Sequence, residues 1–369
     1  MTTAGGRKGT AAIGAITVLT LLALTLAAAC GSGSSSSSSN NSGGTAAGTI
    51  TGAGATFPAP LYTKWAAEYQ KVSSVQLNYQ AVGSGAGIQA IEAKTVEFGA
   101  SDAPLATADL NKAGLTQFPL TIGGVVLAVN LDGVGDGQLK LDGPTLAKIF
   151  MGDIKSWDDP AIKALNPGVT LPSMAINTVH RSDSSGTTFI FTSYLSAVSS
   201  QWQSKYGASK DISWAGGVGG NKNTGVATAV QQTKGSIGYV EYAYAKQTGM
   251  ATVQLKNKDG QWVKPSLDSF AAAAAKAKWV AAAGFASILV DEPGPQSWPI
   301  VGASFILVQK DQQDAEQAKT MLQFFDWAYK NGASIAQSLD YVPVPDNVVT
   351  LVETQWGKDV TVSGTPVWP

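Results

Sequence analysis

The chain has 369 residues, 44% of them hydrophobic and 14% charged, enough to bury a sizeable core without disulfide staples. Lys and Arg total 25 against 26 Asp and Glu, without the basic excess or clustered basic face of a nucleic-acid binder. A single Cys excludes an intrachain disulfide framework, and one His with one Cys excludes the usual zinc sites, which need about four N or S ligands.

Arg7 and Lys8 precede an uncharged apolar run, Ala11 to Ala29, ending in Leu26-Ala27-Ala28-Ala29-Cys30. Residues 1–29 therefore read as a secretory signal peptide. The alternative is a transmembrane anchor, since the run approaches the ~20 residues that span a bilayer. The only Cys, placed directly after small residues, favours the first reading. The segment resembles the lipobox of bacterial lipoproteins, with Ala27 where that box usually carries Leu, and it predicts lipidation of Cys30. Residues 30–48 follow as a Gly- and Ser-rich tether with no means of burying a core. Setting aside Arg7 and Lys8 reduces 25 cationic side chains to 23, against 26 anionic ones. An anion bound by this mildly acidic body must be captured locally rather than by overall field.

From Thr49 the chain alternates short apolar runs, small-residue turns and stretches of helical period. Thr49 to Gly52 starts a strand that leads through Gly54 to Pro58 and Pro60. Leu61, Trp65 and Tyr69 recur at helical spacing and predict one buried face. Val75 to Val82 alternates as a strand and runs into Gly83-Ser84-Gly85-Ala86-Gly87; Ile88, Ile91 and Val96 then predict a helix. Val96 to Ala100 reads as a short strand ending at Ser101-Asp102-Ala103-Pro104. Ile122 to Val129 is continuously apolar, as a buried strand is. Ala175 to Val179 is another strand, leading into Arg181 and the turn Ser182 to Thr187. Val226 to Gln232 predicts a helix, Ser236 to Glu241 and Ala303 to Gln309 strands, and Ala315 to Tyr329 a long helix. Ala271 to Ala275 reads as a helical surface run. Strands alternating with helices imply an α/β fold with mainly parallel sheets.

Three strand-to-helix turns share one composition: Gly52 to Phe57, Gly83 to Gly87, and Ser182 to Thr187. A helix N-terminus presents unpaired N–H groups and about half a positive charge. Glycines let an anion approach that backbone, and hydroxyls add donors. One such turn alone is a capped helix start. Three together point to a ligand site, because open α/β sheets bind ligands at the carboxyl ends of their strands. The second turn fits neither the dinucleotide nor the Walker motif: Ile88 stands where the third Gly belongs, and no Lys follows.

Arg181 is the only Arg beyond the signal segment, whereas Lys occurs 23 times in the chain. Compositional drift is the bland explanation. Its position beside a hydroxyl-rich turn favours a binding role, because a planar guanidinium offers two parallel donors to phosphate or carboxylate. Asp183 is placed to hold that fork. Asp102 either caps its own turn or accepts a hydrogen bond from a protonated oxyanion. Monohydrogen phosphate carries such a proton and sulfate at neutral pH does not. A buried carboxylate would therefore bond the first and repel the second.

At this point the residues resemble a known family. Thr51 to Pro60, Phe98 to Leu105 and Ile122 to Asn130 are similar to segments of the substrate-binding protein of the bacterial ABC phosphate importer. So are Ser156 to Asp159, Leu165 to Gly168, Ser185 to Thr187, Gly235 to Ala245 and Phe324 to Tyr329, and the match spans about Ile50 to Val349. The resemblance implies a two-lobed, type II-like periplasmic-binding-protein fold that closes on phosphate by a hinge. Lobe I would comprise 49–120 and 300–369, and lobe II 121–299. By the same resemblance, Thr56, the N–H of Phe57, Ser84 and Asp102 bind phosphate from the first lobe. Arg181, Ser185, Gly186 and Thr187 bind it from the second, with Asp183 steadying Arg181. His180 stands where some relatives have a second Arg, and Ser184 where Gly is frequent; neither is expected to touch the ligand. The implied role is a lipid-anchored, monomeric receptor outside the cytoplasmic membrane that hands inorganic phosphate to an ABC permease and ATPase complex. Neither cofactor, metal, nucleic acid nor catalysis is expected. The rivals are a binder of another oxyanion, an adhesin-like lipoprotein, and an extracytoplasmic phosphatase, for which His180 is the only His.

Overall fold

The computed structural model describes residues 48–369; the apolar run and Cys30 lie outside them. The first elements are β1 (Thr49–Gly54), α1 (Ala59–Ser73), β2 (Gln76–Ala81), α2 (Ser84–Glu92), β3 (Phe98–Ser101) and α3 (Thr107–Ala113). Leu61, Trp65 and Tyr69, joined by Tyr62, form the buried face of α1, as their spacing predicts. Helix α2 stops short of Val96. Lys94 adopts a left-handed φ of 56°, which ends the helical path, and Val96 packs from the turn that follows.

Strand β4 (Leu115–Asn130) is twice as long as the apolar run predicts. Its first half is disguised by Thr116, Gln117 and Pro119. Gln117 is tolerated inside because its amide is fully used: Oε1 accepts from Leu105 N at 2.8 Å and Nε2 donates to Gly284 O at 2.7 Å. Pro119 cannot donate to a ladder and sits at a register shift. Ser304 faces Thr121 and Phe305 faces Pro119, which leaves Leu120 as the extra residue of a bulge.

Next come β5 (Lys140–Leu141), α4 (Gly143–Phe150), α5 (Pro160–Leu165), β6 (Asn177–Arg181), α6 (Gly186–Val198) and α7 (Ser200–Lys205). They are followed by β7 (Val218–Gly220), α8 (Lys222–Gln232), β8 (Ser236–Glu241), α9 (Tyr242–Gln247), β9 (Ala251–Thr252), β10 (Gln254–Lys256) and β11 (Trp262–Val263). The chain continues through α10 (Leu267–Ala274), β12 (Val301–Gln309), α11 (Ala315–Asn331), α12 (Ala333–Ser338) and α13 (Asp346–Asp359). The alanine run of α10 is not a surface feature. Ala273 and Ala274 are buried beside Phe270, and their small side chains let the helix lie close on β4 and β12.

The main sheet runs β2-β1-β3-β12-β4-β8-β6-β7, with β9 also on β4. Its flanks are parallel, β1 with β2 and β3 on one side and β6 with β7 and β8 on the other. The long strands β4 and β12 lie antiparallel in the middle. β4 pairs with β12 as far as Gly124 and with β8 from Val125 onward, so one strand serves both halves. Each half has an aromatic core. Phe98 and Phe118 meet Phe325 of α11 at 5.2 and 5.5 Å, while Phe191 meets Phe150 and Tyr239 at 4.8 and 4.3 Å. Each fully buried ring contributes roughly 1.5–3 kcal/mol, so both halves are held firmly enough to present their strand ends in fixed positions.

Candidate functional site

The strand ends and helix starts of the two halves meet. Thr56 and Phe57 follow β1, Asp102 follows β3 and Arg181 ends β6, while Ser84 and Gly186 begin α2 and α6. Thr56, Phe57, Ser84, Asp102, Arg181, Ser185, Gly186 and Thr187 are all buried. Ser84 Oγ accepts from Asp102 N at 3.2 Å and from Gly186 N at 3.0 Å, joining three of these segments in one hydroxyl. At Gly186 a Cβ would lie 2.5 Å from Ser84 Oγ and 2.7 Å from Asp102 N, so only hydrogen fits there. Gly83 combines a φ of +99° with the close approach of Asp183 Oδ2, and Gly85 N donates to Ser184 O at 3.1 Å. The second and third hydroxyl-rich turns thus close on each other.

Arg181 Nε donates to Asp183 Oδ1 at 2.7 Å, and Nη2 donates to Asp183 Oδ2. This is the clamp expected from their spacing, and it consumes the side edge of the guanidinium. The end edge keeps one N–H on each terminal nitrogen; Nη1 also makes a long bond, 3.4 Å, to Thr187 Oγ1. Asp183 further accepts from Lys222 N at 3.0 Å. Burial raises the pKa of Asp183, but hydrogen bonding and charge from Arg181 outweigh it and hold the carboxyl below its usual range.

Asp102 behaves differently. Burial pushes its pKa up to about 7, against the nearby Ser304 hydroxyl and the Arg181 charge, which both lower it. Asp102 Oδ1 is buried without a hydrogen-bond partner among the described residues. A buried acceptor left open costs about 1–3 kcal/mol, so this atom marks a place for a donor.

The hydroxyls show the complementary pattern. Ser84 Oγ already accepts two bonds. Thr56 Oγ1 accepts from Asn223 Nδ2 at 2.8 Å and Asn223 N at 3.3 Å. Thr187 Oγ1 accepts from Asn223 Nδ2 at 3.2 Å besides its bond from Arg181. A hydroxyl has two acceptor lone pairs and one proton. With both pairs taken, each of the three retains only its proton, and none donates it to another described residue. Ser185 is partly engaged in structure: its Oγ caps α6 by accepting Thr188 N at 3.1 Å, and its own N–H goes to Lys210 O at 3.1 Å. Phe57 O accepts from Tyr341 Oη at 2.8 Å.

His180 has a packing role. Its ring stacks on Trp214 at 4.9 Å, and burial lowers its pKa. Three further buried residues, Asn223, Glu241 and Tyr341, join this network without any motif in the sequence that marks them. Asn223 is the second residue of α8, which follows the three-residue strand β7 with Asn221 alone between them, so no apolar run in the sequence marks the approach to it. Glu241 is fully buried, which raises its pKa to about 8; its Oε1 caps α9 by accepting Ala243 N at 3.0 Å. Tyr341 Oη lies 2.8 Å from both Glu241 Oε2 and Phe57 O. One phenol proton cannot serve two acceptors. A neutral Glu241 that donates to Tyr341, which then donates to Phe57 O, satisfies all three groups.

A family model of the PBP superfamily domain matches residues 39–331. The chain is 52% identical over 325 residues to the phosphate-binding protein PstS of Pasteurella multocida, covering 88% of this chain and 94% of that protein. It is also 52% identical to the phosphate-binding protein PstS of Haemophilus influenzae, over 85% of this chain and 94% of the relative. The solved structure of the high-affinity periplasmic phosphate-binding protein PfluDING superposes with a TM-score of 0.68, covering 86% of this chain and 97% of that one. At 23% identity that likeness speaks for the fold alone.

Proposed function

The chain belongs to the PstS family of phosphate-binding proteins within the PBP superfamily, and on that premise we propose that it captures inorganic phosphate outside the cytoplasmic membrane for an ABC-type importer. The observation that carries this reading is the imbalance of the site: several committed donors facing a buried carboxylate, Asp102, whose Oδ1 has no hydrogen-bond partner among the described residues. Monohydrogen phosphate has three bare oxygens and one protonated one. The bare oxygens suit the protons of Thr56, Ser84, Ser185 and Thr187, the N–H of Phe57 and the end edge of Arg181. The protonated oxygen suits Asp102. Asp183 holds Arg181, and Gly186 contributes by its close approach, its N–H being engaged by Ser84.

In this proposal residues 1–29 are the signal, Cys30 carries the lipid, and a monomeric body delivers phosphate to a permease and ATPase complex. The change of partner along β4 at Gly124 and Val125 supports a hinge between lobe I (49–120 and 300–369) and lobe II (121–299). Calorimetric titration of the full chain in detergent tests the reading. Phosphate should bind with a stoichiometry of about one and change the fluorescence of the 10 Trp, while sulfate should bind far more weakly. No heat with phosphate, or turnover of a chromogenic phosphate ester, would overturn it. Gly186→Ala should weaken phosphate by at least about tenfold, because the methyl forces apart the Ser84 and Asp102 turns; unchanged affinity in the same titration would show that junction to be compliant.

A further inference from the structure

We propose that Asn223 is a positioning residue of this site: its side-chain amide fixes the hydroxyls of Thr56 and Thr187 as donors toward the bound anion. The inference rests on the phosphate reading above and names a residue through which that site discriminates.

Asn223 is fully buried at the start of α8. The orientation of its amide follows from one bond. Asn223 Oδ1 lies 3.1 Å from Glu241 N, and a backbone N–H can only donate, so the oxygen must face β8 and Nδ2 must face the site. Nδ2 has two hydrogens. One reaches Thr56 Oγ1 at 2.8 Å and the other Thr187 Oγ1 at 3.2 Å. Both amide hydrogens are then used, and they tie together two hydroxyls that are 131 residues apart in sequence, Thr56 and Thr187.

A Thr hydroxyl left to itself is ambidextrous: it donates to a bare oxygen or accepts from a protonated one. Asn223 removes that choice. Thr56 has both lone pairs filled by Asn223 alone, and Thr187 has them filled by Asn223 and Arg181. Neither oxygen can then receive the proton of the ligand. That proton is directed away from the two Thr hydroxyls and toward the buried Asp102 carboxylate, whose Oδ1 has no hydrogen-bond partner among the described residues. Without Asn223, two further acceptors would accommodate a more protonated or differently oriented anion. The same amide also spans the molecule, since Thr56 follows β1 while Thr187, α8 and β8 lie on the other side of the sheet.

The test is a double-mutant cycle on the full chain, with phosphate affinity read by calorimetry and thermal unfolding recorded alongside. Asn223→Leu removes the amide at similar volume; Asn223→Ser, which leaves room for a water at Glu241 N, serves if the leucine variant does not fold. In the otherwise unchanged chain the substitution should weaken phosphate by at least about tenfold. In a Thr56→Val background it should cost less than about threefold, because one of the two protons it aims is already gone. Asn223→Asp should lose more than Asn223→Leu, since the new carboxylate oxygen takes both Thr protons for itself. Equal losses in the two backgrounds would mean that Asn223 only packs and would overturn the proposal, as would unaltered affinity in Asn223→Leu or Asn223→Ser. A parent chain that binds no phosphate would overturn the phosphate reading and this inference with it. A parent that binds phosphate while the Asn223 series stays flat would overturn this inference alone.

Discussion

Asp102→Asn is expected to collapse the preference for phosphate over sulfate, weakening phosphate by more than about tenfold while admitting sulfate. Asp102 Oδ1 is an open buried acceptor, among the described residues, in a site made chiefly of donors. Sulfate brings no proton, so it would leave a buried carboxylate facing a dianion. An amide at the same place offers N–H instead. The wild-type chain should show the same trend with pH, because burial lifts the Asp102 pKa from 3.8 to about 7. Above that value the carboxylate is charged and rejects sulfate; below it the acid has a proton to donate and tolerates sulfate. Competition titrations at pH 6 and pH 8 should therefore show stronger discrimination at the higher pH. The linked effect on stability has a definite sign. The folded chain holds a proton on Asp102 that the unfolded chain has lost between pH 3.8 and about 7. This contribution is fully present below pH 3.8 and is lost as pH rises through 7. Glu241, pushed up to about 8, acts in the same direction over a window displaced upward. A discrimination ratio that is flat with pH and unaltered in Asp102→Asn would take Asp102 out of the site.

How much of this site could be read from sequence depends on how its parts are connected. Arg181 and Asp183 are two residues apart, so their clamp is a local property of a strand end and its turn. Ser84, Asp102 and Gly186 lie in turns whose small residues and hydroxyls already suggest anion chemistry. What joins those turns is not local. Asn223 meets Thr56 across 167 residues and Tyr341 meets Glu241 across 100, and both contacts depend on how β8 and β12 are placed on the shared strand β4. The same limit applies to the fold. Gln117 and Pro119 interrupt the apolar pattern of β4, and only the amide bonds to Leu105 and Gly284 and the bulge at Leu120 explain why the strand continues through them. The alanines of α10 look like surface until Phe270 and the close approach to β4 are seen. His180 is exposed as a packing residue only by its stack on Trp214.

Arg181→Lys should weaken phosphate by more than about tenfold, ~1.4 kcal/mol, although the charge is conserved. The guanidinium performs two tasks with two edges. Its side edge holds Asp183 through Nε and Nη2, and its end edge is left with parallel N–H groups. A lysine ammonium has one nitrogen and cannot do both. If it stays with Asp183 the anion loses its paired donors; if it turns to the anion, Asp183 becomes a half-buried carboxylate without its cationic partner beside a negative ligand. Either outcome also removes the bond from Nη1 that fills a lone pair of Thr187. Asp183→Asn separates these tasks. It keeps the end edge of Arg181 available and removes the charge and one of the two acceptors that orient it, so its loss should be smaller than that of Arg181→Lys in the same titration. Equal affinities for Arg181→Lys and the parent chain would remove Arg181 from the site, and a larger loss in Asp183→Asn would make orientation, rather than the paired donors, the greater part of its role.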